Sequence, residues 1–350
     1  MRPEHTAIDH IVVEKKNAIR RDDCRCGIFS ALYRKEYFMH TILPVLNIVL
    51  PVLLTLALGA FARKKQVISA EGAIALKQIV SNFTLPAVVF GAFYNAKYDI
   101  SIFVFALVML LCCGLGLVLG RLAMKLFRIR QPLLPFLTSG FEVGMMGYAL
   151  YTMLFGAEHL TNMAIADLGQ VVFVFSVYMS LLHAQNGMGK KETIHAMLSS
   201  PPFWGIFLGL AIGVTGLGAL IANSVVGPVL ESALNFLGAP TGYAILFAIG
   251  YEIRISRSNL KDAVIAALFR FVIMAALGFL ALTLVSLLIP VDVYLKYALI
   301  LVFILPAPFM LPIFAKDPGQ SSYASTCLSL YTLLSIGLFA ILTIFAQGVA

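Results

Sequence analysis

Residues 102–119 read IFVFALVMLLCCGLGLVL, an apolar run without a charged residue. A helix needs about 20 mostly apolar residues to cross the hydrocarbon core of a bilayer, and this run is close to that length. It lacks the strict alternation of apolar and polar residues that is typical of a barrel strand. Because backbone groups in lipid must be satisfied internally, the run predicts a transmembrane helix.

The composition extends this prediction to the whole chain. Of its 350 residues, 60% are hydrophobic and only 12% are charged, and the mean hydropathy is +0.93. These values exclude large soluble domains. The net charge of +8 does not indicate nucleic-acid binding, because the basic residues stand at the ends of apolar runs. The five cysteines show no spacing for a disulfide framework or a metal site.

Similar apolar runs recur along the chain and predict an all-α integral membrane protein with ten transmembrane helices. We place them at residues 41–62, 71–94, 100–123, 132–156, 160–183, 202–222, 225–251, 262–289, 293–315 and 322–347. Basic residues cluster in the connections after the odd-numbered helices, with Lys97 and Lys296 as exceptions. The positive-inside rule therefore predicts a multi-pass protein of the cytoplasmic membrane, with these connections in the cytoplasm and both termini outside. The clustered basic residues are Arg63, Lys64, Lys65, Arg121, Lys125, Arg128, Arg130, Lys190, Lys191, Arg254, Arg257, Lys261 and Lys316.

A polar loop divides the chain into two halves of five helices each. Two similar halves with an odd number of helices must be inverted relative to each other. The predicted organisation is a polar N-terminal extension at 1–39, a first five-helix repeat at 40–184, a cytoplasmic loop at 185–200 and a second, inverted repeat at 201–350. The extension carries eight basic and six acidic residues. It is interpreted either as an interfacial or mobile tail or, if translation begins at Met39, as untranslated sequence.

Two helices at matching positions of the two halves are interrupted by helix-breaking residues. The fourth helix contains Gly140, Gly144 and Gly147, and the ninth contains Pro306, Pro308 and Pro312. Paired interruptions of this kind are the best sequence indication of a transporter site, because they expose backbone amides and carbonyls to a cavity. The short match between residues 81–86 and 234–240 adds support for the repeat.

Glu142 lies within the interruption of the fourth helix. At about 1.5 Å per residue it is about 15 Å from the start of that helix, near the bilayer centre. A carboxylate there costs several kcal/mol unless it is paired, protonated or ion-bound. Glu142 is therefore either a proton or sodium site beside a substrate, or a permanently protonated side chain bonded to a carbonyl of the broken helix.

Further polar side chains fall inside predicted helices. Asp167 and Gln170 share one face of the fifth helix. Either both line a polar path, or Asp167 ties the backbone of the fourth helix to its neighbour. Arg270 lies deep in the eighth helix and either binds an anionic substrate or, as we slightly favour, pairs with Glu142 or Asp167.

Asn82 and Asn235 each precede a proline, Pro86 or Pro240, in corresponding helices. Their amides either satisfy carbonyls freed by the prolines or contact a ligand. Lys77 is expected to extend its ammonium to the membrane interface.

Enzyme signatures are absent from the sequence. It contains no Gly-x-Ser-x-Gly, no His-Glu-x-x-His and no Walker Gly-Lys-Ser/Thr motif, so we predict neither an enzyme nor an ATP-driven pump. No cofactor or bound metal is expected beyond a coupling ion, H⁺ or Na⁺.

At the interrupted helices the chain resembles the auxin efflux carrier (AEC) family, which includes bacterial malonate-type permeases and plant PIN-type auxin exporters. The resemblance covers residues 41–350 and rests on the order and spacing of short motifs: Leu43-Pro44 through Leu58-Gly59-Ala60-Phe61, Phe83-Thr84-Leu85-Pro86-Ala87, Leu154-Phe155-Gly156, Leu305-Pro306-Ala307-Pro308 with Ala315, and Thr332-Leu333-Leu334-Ser335. It implies an inverted five-plus-five fold in which broken helices 4 and 9 cross at the binding site near the midplane, and elevator-like alternating access. The chain departs from the family where relatives have Asn and then Gly-x-Pro, since it has Glu142 and then Gly147-Tyr148-Ala149.

These observations together predict a secondary transporter of small organic anions, carboxylates above all, coupled to protons or sodium. The alternatives are a cation/proton antiporter, a sodium-coupled symporter of the bile-acid type and a transporter-derived membrane sensor without flux. The expected partners are the organic anion and the lipid bilayer, with no nucleic acid, and a homodimer is left open.

Overall fold

The computed structural model describes residues 43–94, 96, 98, 100–187 and 189–347. The described residues from Ile48 onward cluster into one compact unit. The predicted extension 1–39 with Met39, and also Lys97, lie outside the described residues.

The described part of the chain is helical and contains no strand. In chain order the helices are α1 (Leu43–Lys64), α2 (Ala70–Tyr94), α3 (Ile100–Leu126), α4 (Leu134–Leu137), α5 (Val143–Phe155), α6 (Ala157–Gln185), α7 (Lys190–Leu198), α8 (Pro201–Val214), α9 (Leu217–Ala222), α10 (Gly227–Glu252), α11 (Leu260–Leu288), α12 (Val293–Ile304) and α13 (Pro318–Ala346). A 3₁₀ turn, Leu311–Phe314, follows α12.

Within the described residues, seven of these helices are long and apolar enough to cross a membrane, namely α1, α2, α3, α6, α10, α11 and α13. Three shorter apolar helices, α5, α8 and α12, fall within the remaining predicted spans. The all-helical membrane class is thus supported, and the predicted positions of the apolar segments agree with the helices. The arrangement as two inverted repeats, and the orientation of the termini, stay predictions.

Several helices begin where a polar side chain caps the first turn. Ser69 accepts a hydrogen bond from the backbone of Gly72 before α2. Asp292 and Asp317 accept hydrogen bonds from amides of the first turns of α12 and α13. These side chains satisfy backbone donors that have no partner inside the helix, which explains why the helices begin there.

The crossing of α1 and α10 depends on small residues. A Cβ on Gly250 would lie 2.2 Å from the carbonyl oxygen of Leu56, and one on Gly59 would lie 2.0 Å from the carbonyl oxygen of Phe247. Both values are far below a van der Waals contact. Glycine at these two positions allows the backbones to touch, which is how many membrane helices associate.

The helices that carry the two matching prolines are irregular at those places. In α2 a π-helical turn, Val80–Thr84, precedes Pro86. In α10 the helix Gly227–Gly238 ends before Pro240, and Thr241–Glu252 follows it. Proline cannot donate to the helical hydrogen-bond ladder, which accounts for both irregularities.

Candidate functional site at two interrupted helices

The first interruption is the non-helical segment 138–142 between α4 and α5. Gly140 has a φ of 65°, a left-handed conformation that glycine adopts without strain. A Cβ at Gly140 would also lie 3.3 Å from the side chain of Pro308. The glycine predicted to break this helix therefore makes the turn and lets the second interruption approach.

The second interruption is the segment 305–310 after α12. The amide of Glu142 donates a hydrogen bond of 2.9 Å to the carbonyl of Pro306, so the two interruptions touch through their backbones. We call these two segments, 138–142 and 305–310, the junction. The structure thus confirms that both helices are broken and brings the breaks together.

Arg270 on α11 binds the carbonyl ends of the junction. Its Nη1 donates to the Leu137 carbonyl at 2.8 Å, and its Nη2 donates to the carbonyls of Gly140 and Leu305, both at 2.9 Å. The guanidinium also lies over the rings of Phe141 and Tyr331, at 5.6 and 5.4 Å from their centroids. A single side chain therefore joins both interrupted helices.

The ion pair that we favoured for Arg270 is wrong. Among the described residues, the single salt bridge joins Lys77 to Glu252, whereas Arg270 donates to carbonyl oxygens. The last carbonyls of a helix have no partner within it and carry a partial negative charge. The carbonyls of Leu137 and Leu305 lie at such helix ends, and the Gly140 carbonyl lies in the non-helical segment. The three oxygens compensate the buried cation and occupy both terminal nitrogens, which were the alternative candidates for binding an anionic substrate.

Glu142 binds the amide ends of the junction. Its side chain is 7% exposed; Oε1 accepts from the amide of Met145 at 3.3 Å and Oε2 from the amide of Phe309 at 2.6 Å. Its own carbonyl accepts from the amides of Met146 and Gly147. The partners of the carboxyl group among the described residues are N–H donors, and the bond to a carbonyl of the broken helix that one interpretation assumed is not seen.

The two buried charged side chains, Glu142 and Arg270, thus bind backbone dipoles and not each other. Helix starts carry a partial positive charge and helix ends a partial negative charge. Glu142 lies at the start of α5, and Arg270 lies at the ends of α4 and α12. The two side chains together hold the interrupted helices at five backbone positions, because Arg270 binds three carbonyls and the Glu142 carboxylate binds two amides.

Asp167 and Gln170 lie on α6 beside the junction and are buried. The Gln170 Nε2 donates to the Phe141 carbonyl at 2.8 Å, and the Tyr148 hydroxyl donates to Asp167 Oδ2 at 3.4 Å. Gln170 therefore ties the backbone of the interrupted helix to α6, the role that one of our two interpretations gave to Asp167. Asp167 Oδ1 and Gln170 Oε1 are buried and have no hydrogen-bond partner in the described structure.

The other predicted site residues divide into two groups. Gly144 and Gly147 lie in the wide first turn of α5, Val143–Gly147, next to the junction. Asn82 and Asn235 do not reach it, since both are exposed on the outside of α2 and α10. Neither asparagine makes a side-chain hydrogen bond to another described residue, so the expected capping of carbonyls near the prolines is not seen.

A cavity of about 570 Å³ borders the junction. Its wall includes Met145 and Phe309, whose amides hold Glu142, and the ion pair of Lys77 with Glu252 at 2.9 Å. Its further polar lining residues are Gln78, Ser81, Arg254, Ser325, Ser329 and Thr332.

Lys77 is the lining residue that sequence reasoning missed. We expected it to extend to the membrane interface, but it is bound to Glu252 in the cavity wall. The signal was present in α2, where Ala70, Ile74, Lys77 and Ser81 recur at the spacing of one helical face. That face lines the cavity.

No protein-family model matches the sequence. The chain is 27% identical over 232 residues to an uncharacterized transporter of Methanothermobacter thermautotrophicus, an alignment that covers 64% of this chain and 74% of that protein. It is 26% identical over 246 residues to an uncharacterized transporter of Methanocaldococcus jannaschii, covering 67% of this chain and 78% of the relative. With its apolar helices, this similarity supports a multi-pass membrane protein with a transport function. The resemblance to the auxin efflux carrier family stays a prediction.

Proposed function

We propose that the chain is a secondary transporter of small organic anions, carboxylates above all, of the auxin efflux carrier type, which moves its substrate without converting it chemically. The observation that carries the proposal is Glu142, whose carboxylate joins two interrupted helices by binding the amides of Met145 and Phe309, two residues that line a cavity. Interrupted helices that meet beside a cavity are the usual construction of a binding site in secondary transporters.

The cavity suits a small anion. Its volume of about 570 Å³ lies within the range of sites for small molecules, about 300–1,000 Å³. Two cationic side chains, Lys77 and Arg254, line it together with one anionic side chain, Glu252. The surplus of positive charge and the hydroxyl groups of α13 favour a carboxylate over a cation.

Glu142 suits coupling to protons. Both of its oxygens face N–H donors, which would repel Na⁺, a cation that requires oxygen ligands. A proton on one oxygen removes the negative charge of the carboxylate and makes both oxygens weaker acceptors, so the hydrogen bonds from the amides of Met145 and Phe309 weaken. Protonation would therefore loosen the link between the two interrupted helices.

The resemblance to the auxin efflux carrier family implies alternating access of the elevator type, which we include in the proposal. The cavity lies beside the connections 65–69 and 253–259, which carry Lys65, Arg254 and Arg257. The positive-inside rule places these connections in the cytoplasm. In our proposal the cavity is the inward-facing entrance, and the junction moves past α2 and α10 to face the other side.

The test is flux in liposomes that contain the purified full-length chain. Radiolabelled acetate, malonate, succinate and indole-3-acetate are supplied under a pH gradient, under a sodium gradient and with neither. We expect uptake of at least one acid that the pH gradient accelerates, and we expect Glu142→Gln to remove that acceleration. No flux of any acid would overturn the proposal, and an unchanged pH profile in Glu142→Gln would remove Glu142 from the coupling mechanism.

A specific observation favours a second candidate, a cation/proton antiporter. Asp167 Oδ1 and Gln170 Oε1 are buried oxygens without a hydrogen-bond partner in the described structure, and oxygens of this kind bind hard cations. Sodium-driven proton flux without any organic anion, abolished by Asp167→Asn, would identify this function. Binding of an acid without flux would identify a sensor instead.

A further inference from the structure

Lys77 and Glu252 form an ion pair that joins α2 to α10 in the cavity wall. The Lys77 Nζ lies 2.9 Å from both carboxylate oxygens of Glu252. The side chains are 22% and 43% exposed, respectively. Ion pairs with this degree of exposure contribute little to stability, because water screens the charges and two long side chains must be ordered. Stabilising the contact between α2 and α10 therefore does not explain why this ion pair is present.

The ammonium retains the capacity to bind a second anion. Lys77 Nζ has three N–H donors, and both of its hydrogen bonds among the described residues go to the same carboxylate. The cavity in front of it is also lined by Met145 and Phe309, whose amides bind Glu142. Lys77 thus binds one carboxylate, Glu252, and lines an open volume whose wall includes the two residues that bind Glu142.

We propose that Lys77 is the cation that binds the carboxylate of the transported anion, and that Glu252 is an internal competitor that holds the ammonium while the cavity contains no substrate. This inference rests on the proposed function, since it requires a carboxylate substrate. An arriving carboxylate takes over the interaction with Lys77 and releases Glu252 toward the open side of the cavity. Glu252 is the more exposed partner, so its carboxylate can be hydrated when it is released.

The two partners of the pair therefore have opposite effects on binding. Removing the ammonium removes the charge-assisted contact to the substrate, which weakens binding by about tenfold or more. Neutralising Glu252 removes the competitor, which strengthens binding by about threefold or more. An ion pair that is only structural predicts the same direction for both changes, because each breaks the same contact.

The experiment measures dissociation constants of the purified full-length chain by thermal stabilisation, with acetate, malonate, succinate and indole-3-acetate as probes. The variants are Lys77→Met, Lys77→Arg, Glu252→Gln and, as a matched control, Lys64→Met, because Lys64 is exposed at the end of α1 and does not line the cavity. We expect weaker binding in Lys77→Met, near-normal binding in Lys77→Arg, tighter binding in Glu252→Gln and no change in Lys64→Met. Acetamide and malonamide, which lack the carboxylate, should not distinguish Lys77→Met from the wild type.

The outcomes separate this inference from the proposed function. If the wild type binds an acid and Lys77→Met binds it equally well, Lys77 is not the substrate cation, while anion transport stands. Equal weakening in Lys77→Met and Glu252→Gln makes the pair structural and also overturns the inference. If the wild type binds none of the four acids, both proposals fail.

Discussion

Arg270→Lys keeps the positive charge of Arg270 but removes its planar guanidinium group, which has two terminal nitrogens. In the protein, Nη1 binds Leu137 and Nη2 binds Gly140 and Leu305. A lysine has one nitrogen in place of two and cannot occupy both positions. At least one buried carbonyl at the junction therefore loses its charged donor.

The magnitude follows from the number of bonds lost. A hydrogen bond to a charged group contributes about 1.5–3 kcal/mol when buried. We expect Arg270→Lys to lower the free energy of unfolding by about that amount, since one of the three bonds is lost. Arg270→Met removes all three donors and the contacts to Phe141 and Tyr331, and we expect a loss of about 3–5 kcal/mol.

The assay is reversible unfolding of the detergent-solubilised full-length chain by denaturant or heat. Arg257→Lys is the matched control, because Arg257 is exposed and surface changes of this type usually stay within about 0.5 kcal/mol. The reasoning is refuted if Arg270→Lys is as stable as Arg257→Lys, or if Arg270→Met is no less stable than Arg270→Lys. Either result would mean that the three carbonyls find other donors.

Three further changes test other contacts. Glu142→Gln leaves one side-chain oxygen to accept from the two amides of Met145 and Phe309, and should lower the free energy of unfolding by about 1–3 kcal/mol in the same assay. A variant as stable as the wild type would contradict the arrangement in which two amides bind this side chain. Gly250→Ala places a methyl group against the Leu56 backbone and should cost about 1–3 kcal/mol, whereas no loss would mean that the two helices separate easily. Tyr148→Phe removes the donor to Asp167 and should cost about 1–2 kcal/mol; a change in the pH or sodium dependence of flux would place Asp167 on the ion path, and unchanged dependence would exclude it.

Much of the local structure follows from the sequence. The glycines and prolines of the fourth and ninth predicted helices indicate both interruptions, because helix breaking depends on the residue itself. The burial of Glu142 and Arg270 is also predictable, since both lie deep inside apolar runs and the structure shows them 7% and 5% exposed. These properties depend only on a residue and its near neighbours in the chain.

The partners of these residues were not predictable from the same patterns. Opposite formal charges suggested that Arg270 binds Glu142 or Asp167, yet its partners are backbone carbonyls of residues more than 30 positions away in the chain. Every residue has the same backbone carbonyl, so the sequence does not indicate which three carbonyls at the interrupted helices lie beside α11. Lys77 illustrates the same difficulty, because its role depends on Glu252, which is 175 residues distant.

The sequence by itself determined that the chain is a helical membrane protein, where its apolar segments lie and where two of them break. These features follow from the hydrophobic effect and from backbone sterics, which act over one helix at a time. Only the tertiary structure decided that the two breaks touch, that Arg270 takes their carbonyls and Glu142 their amides, and that Lys77 faces the same cavity. Those contacts depend on how helices distant in the chain pack together. Packing decides which backbone amides and carbonyls lie next to a buried charged side chain, and their dipoles determine which of them it binds.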